Sequence, residues 1–160
     1  MRMDAGASWF HSKWMLLLVA LGPCVACGER EGDCRRLIGK VNDTLREIDQ
    51  RPRVDPEDVP AVARDRAELA QRYGNLSEEV VALKLSDPEL VPRAKRYAEL
   101  ARSASGVLAK GVKALEKRDP EAVEKSRQEF DRITHEEAAM VREINALCLP
   151  DVAPAPSASR

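Results

Sequence analysis

The chain has 160 residues, of which 33% are charged, and 26 basic side chains face 27 acidic ones for a formal net charge of −1. Such balance leaves no footprint for nucleic acid or anionic headgroups, which are held chiefly by an excess of Lys and Arg. Taking away residues 1–26, with Arg2, Lys13 and Asp4, keeps the balance and leaves enough chain for one domain with a modest core.

The first element is an export address. Arg2 and Lys13 precede the apolar run Trp14 to Leu21, which closes on the small residues of Cys24-Val25-Ala26-Cys27-Gly28. A positive start, about 7–15 apolar residues and a small-residue end make a secretory signal. The charged stretch Gly28 to Asp33 stops this run short of the roughly 20 residues that span a bilayer. Residues 1–26 are therefore expected to be a processed signal peptide.

Val25-Ala26-Cys27-Gly28 resembles the lipobox of bacterial lipoproteins, with Cys24 where that family usually has leucine. The resemblance implies cleavage before Cys27 and lipidation of Cys27 by two or three acyl chains, palmitate among them. It also implies anchoring to a bacterial membrane, and Gly28 in the second mature position favours the outer membrane, facing the periplasm. Residues 27–33 then read as a lipid-anchored tether. Ordinary cleavage after Ala26 or Cys27 would instead release a soluble periplasmic protein. Cys24 and Cys27 also have C-x-x-C spacing, but no second pair completes a tetrahedral metal site and Cys24 leaves with the leader.

From near Asp33 to Leu149 the chain reads as helix, with no competing strand pattern. Cys34, Ile38, Val41, Leu45 and Ile48 step by 4, 3, 4 and 3, the seam of a first helix ending near Gln50. Val62, Arg66, Leu69, Tyr73, Leu76, Val80 and Leu83 form the second seam, with Gly74-Asn75 as a kink inside it. The third runs Leu90, Ala94, Tyr97, Ala101, Ala104, Leu108, Gly111, Leu115, and the fourth Val123, Ser126, Phe130, Ile133, Glu137, Met140, Ile144, Leu147.

Punctuation agrees with periodicity. Asp55-Pro56-Glu57, Asp87-Pro88-Glu89 and Asp119-Pro120-Glu121 each supply a capping acceptor, a proline for the first turn and an early acid, and so are expected to start helices two to four. Pro60 and Pro92 remove a backbone donor early in their helices, which moves those starts a few residues later. The triplets recur every 32 residues with Val59, Val91 and Val123 at one offset; an internal duplication would do this, and so would helices of equal length.

Short connections near 51–55, 85–87 and 117–119 make successive helices antiparallel, so residues 34–149 are expected to form an all-α, up-down-up-down four-helix bundle. Helix one then starts where helix four ends. That places Cys34 beside Cys148, and in an oxidising envelope compartment the two should form a disulfide. The tail 150–160, rich in Pro, Ala and Ser, is expected to be disordered.

The chemistry-bearing inventory after the leader is thin. His135 is its one histidine, whereas di-metal bundles need Glu-x-x-His on two helices, and the residue three before His135 is Arg132. His135 falls off the seam, and Met140 lies five residues along the same helix, too near to act as an opposite axial ligand. Cys-x-x-Cys-His, glycine-rich phosphate loops and an activated nucleophile are missing. No catalytic residue, metal ligand or cofactor is expected. The reading is a lipid-anchored bacterial cell-envelope protein, not an enzyme, that binds or scaffolds an envelope protein partner and does not bind nucleic acid. The alternative is a soluble periplasmic bundle carrying a small ligand, a metal or haem, between the levels of Tyr73, Tyr97 and Phe130. Glu137 and Arg66 are the charged residues expected to face inward.

Overall fold

The computed structural model describes residues 24–149, so the leader before Cys24 and the tail 150–160 lie outside the described residues. It is an antiparallel four-helix bundle of α1 (Cys24–Asp49), α2 (Val59–Ala82), α3 (Leu90–Glu116) and α4 (Pro120–Cys148), with no strand among the described residues.

Cross-helix pairs give the directions. Lys40 meets Glu79 at 3.4 Å, Glu47 meets Arg72 at 2.7 Å and Arg51 meets Asp65 at 2.7 Å, so α2 descends as α1 rises. On the other flank the Tyr97 hydroxyl donates to Glu137 at 2.7 Å and the Ser126 hydroxyl to the Val107 carbonyl at 2.8 Å, which sets α3 against α4 in the same sense. The exposed α1–α2 pairs contribute little stability; apolar burial supplies the bulk of it.

Helix α3 is the hub, packed on both α2 and α4. Its buried face, Leu90, Ala94, Tyr97, Ala98, Ala101, Ala104, Val107, Leu108, Gly111 and Ala114, is wider than the single seam of the sequence reading because two neighbours cover it. The run of alanines lets those neighbours come close. α2 runs unbroken through Gly74-Asn75, without the expected kink. A Cβ on Gly74 would meet the Ser105 hydroxyl at 3.3 Å, and one on Gly111 would meet the Ser126 hydroxyl at 2.7 Å. Gly111→Ala is therefore expected to cost about 1–3 kcal/mol, since Ser126 must leave its bond to Val107. Gly74→Ala is expected to fall between neutral and about 1 kcal/mol stabilising, because alanine suits a helix interior better than glycine. Thermal unfolding of the two variants checks the contrast.

The helix starts refine the expected caps. Asp119 caps α4, accepting from the Ala122 amide at 3.0 Å. Asp58, not Asp55, caps α2 through the Ala61 amide, and Asp55 holds a separate turn through Glu57. Asp87 accepts from Glu89 and Leu90 at 2.9 Å each, in the turn leading into α3. Pro60 sits in the first turn of α2, where its missing donor has no helical partner to lose.

The largest departure is in α1. Residues 27–33, expected as a tether, are helical, and α1 is continuous from Cys24. Glu29 and Glu31 do not oppose helix, and contacts made by Arg30 and Asp33 with the α2–α3 connection hold these turns in place against the cost of Gly28 and Gly32.

Candidate functional site

Two polar clusters are built into the bundle. The first closes the end where α1 enters and α4 finishes. Cys34 and Cys148 form a disulfide there, with Cα atoms 5.5 Å apart across 114 residues of sequence. Beside it Asp33, at the edge of the expected tether, is 1% exposed. One carboxylate oxygen accepts from the Ser86 amide at 2.6 Å, the Asp87 amide at 2.8 Å and the Ser86 hydroxyl at 3.2 Å; the other accepts from Arg36. Asp33 thus caps the α2–α3 connection from another helix. Burial alone would raise its pKa, but the Asp87 and Ser86 amides, the Ser86 hydroxyl and Arg36 outweigh it and hold the carboxyl below its ordinary value. Arg30 reaches the same connection, donating to Asp87 at 2.7 Å and Glu89 at 2.8 Å.

The second cluster lies among α2, α3 and α4. Glu137 faces inward as its position on the α4 seam implies, at 9% exposure, and accepts from Tyr97, which is fully buried. Tyr73 lies close by and packs edge-on against Phe130, with ring centroids 5.9 Å apart. Burial pushes the Glu137 carboxyl above its ordinary value, and the Tyr97 and Tyr73 hydroxyls offset only part of that. Both tyrosine hydroxyls are pushed up, by burial first and then by the facing Glu137 carboxylate. The two phenols therefore stay protonated donors. Arg66, the other charged residue expected inside, is half-buried, with a guanidinium nitrogen 3.6 Å from where a Cβ on the buried Gly111 would stand, and does not pair with Glu137.

The Glu137 cluster has a defined pH signature. A carboxyl whose folded pKa is raised gives stability that is fully present below its unfolded pKa and lost as pH rises through the folded one. Glu137→Gln keeps an acceptor for Tyr97 without a buried charge. It is expected to raise Tm by a few degrees at neutral pH and to remove that loss. Glu137→Ala, which strands the Tyr97 hydroxyl and opens a cavity, is expected to cost about 2–4 kcal/mol. Thermal melts across pH 4 to 8 read both.

The remaining sequence candidates are dispersed. His135 is exposed, its Nδ1 2.9 Å from the Asp131 carbonyl, while Met140 is buried. Cys27 falls in the first turns of α1. Surface grooves lie between α1 and α2, lined by residues such as Lys40, Glu47 and Arg72, and between α3 and α4, where about 650 Å³ opens around Val107, Lys110, Lys125 and Arg132. Neither groove reaches Tyr73, Tyr97 or Phe130. Among the described residues no group of three or more His, Cys, Asp or Glu is placed to hold a metal ion, and no helix is long and apolar enough to cross a membrane. Comparison with protein-family models, with curated proteins and with solved structures finds no match for this chain.

Proposed function

We propose that the protein is a lipid-anchored component of the bacterial cell envelope whose disulfide-closed bundle acts by binding or scaffolding, not by catalysis. The observation that carries this reading is the leader, a basic start and an apolar run that end on Val25-Ala26-Cys27-Gly28. The Cys34–Cys148 bridge supports it, because structural disulfides persist in oxidising compartments and are rare in the cytosol. The two polar clusters support it differently: Asp33 and Glu137 are both consumed by hydrogen bonds to groups of the fold itself, which suits a rigid scaffold. The acyl chains on Cys27 hold the bundle at the membrane, with the outer membrane favoured by Gly28, and the partner is a protein of the envelope.

Metabolic labelling with a palmitate analogue in a bacterial host tests the anchor. Cys27→Ser is expected to leave an unprocessed precursor and to abolish labelling. Unchanged maturation of that variant would sink the lipoprotein reading in favour of a soluble periplasmic protein.

A further inference from the structure

The helical start of α1 turns the anchor into an orienting device. A coil of seven residues could let the bundle swing, whereas in α1 the backbone from Cys27 to Cys34 is unbroken helix, a rise of about 10 Å. Within that rise three independent links tie α1 to the same end of the bundle. Arg30 is held by Asp87 and Glu89, Asp33 by the amides of Ser86 and Asp87, and Cys34 by Cys148. A group fixed at position 27 therefore fixes this end of the molecule and not merely its distance from the anchor.

Resting on the lipoprotein reading, we infer that the disulfide end of the bundle, with the α2–α3 connection, seats against the bilayer surface, and that the bundle stands on the membrane with its opposite end outward. Three exposed apolar residues flank the seated end: Val81 on the last turns of α2, Val91 on the first turn of α3 and Leu149 after α4. Two others, Val54 and Val59, mark the outer end. Exposed charges at the seated end balance, Glu29, Glu31 and Glu89 against Arg35, Arg36 and Lys84. The surface it meets is accordingly a zwitterionic one, and seating does not depend on anionic lipid or on low salt. The outer end, formed by the α1–α2 connection and the turn at 117–119, stands a helix length away, roughly 40 Å for a helix the size of α3. That end is presented to a protein partner.

The chain makes the test clean, because its two tryptophans, Trp9 and Trp14, both precede Cys27. Val91→Trp and Val59→Trp place one fluorophore at either end on exposed sites, with Val81→Trp and Val54→Trp as a second pair should either fold poorly. Each mature, acylated protein is reconstituted into phosphatidylcholine vesicles containing a dansyl-headgroup lipid, and its acyl mass is measured in the same sample. Energy transfer from position 91 is expected to exceed that from position 59 several-fold, at low and at high salt alike. Equal transfer from both ends, or the reverse order, overturns the orientation while leaving the anchor intact. A mature mass without acyl chains overturns the lipoprotein reading itself and removes the orientation with it.

Discussion

Reducing the Cys34–Cys148 bridge, or replacing both cysteines by alanine, is expected to lower the free energy of unfolding by about 4–5 kcal/mol, the chain-entropy value for closing a loop of about this length. For a domain of this size that is a fall in Tm on the order of 15 °C. The loss should not be uniform. α1 meets α4 only sparsely, so the bridge is the main tie between the first helix and the last. Hydrogen exchange in the reduced protein is expected to accelerate first in α1, while the α2–α3–α4 core keeps its protection. Uniform acceleration, or a Tm unmoved by reduction, would count against the role given to the bridge. Denaturant titrations in urea, with and without reductant, supply the free energies.

Asp33→Ala is expected to be the most damaging single substitution at a polar position, at about 3–5 kcal/mol. It removes an ionised acceptor and leaves the buried amides of Ser86 and Asp87 without partners. Asp33→Asn, which keeps one carbonyl oxygen, should cost less, and Ser86→Ala least, because the hydroxyl bond at 3.2 Å is the longest of the set. The pH dependence runs opposite to that of Glu137. The folded pKa of Asp33 is depressed, so its contribution is fully present above the unfolded value near 3.8 and is lost as pH falls through the folded one. Acid unfolding of the wild type should be steeper than that of Asp33→Asn. Parallel acid transitions in the two proteins would show that the carboxylate is not what holds the connection.

Seams that bury one face of a helix were legible from spacing alone, and so the bundle, its antiparallel order and the bridge follow from steps of three and four with caps between them. Glu137 was legible for the same reason, standing where an apolar residue belongs. Its partner was not. That Tyr97 meets Glu137 depends on the axial register of α3 against α4, which periodicity within one helix does not encode. Leu37, fully buried, was missed because the seam drawn through Cys34, Ile38 and Val41 ran along one edge of the true contact. Asp33 was missed because an acid beside glycine and glutamate reads as solvated chain; only the amides of Ser86 and Asp87, beyond the next helix, give it a reason to be buried. Arg66 was legible in the same way as Glu137, since its half-buried guanidinium lies against α3 beside Gly111, on the side its place on the seam implies.

The separation of 114 residues between the bridged cysteines also sets an order of events. On the proposed export route, a chain crossing leader first would deliver Cys34 outside almost a whole domain before Cys148, so Cys34 would wait as a thiol while helices two to four are still arriving. Were Cys27 capped by lipid and Cys24 cut away, as proposed, the waiting thiol would have Cys148 as its one intramolecular partner. The oxidation that joins them would then come last. It would seal a bundle already assembled, and the bridge would serve as a record that translocation and folding are both complete.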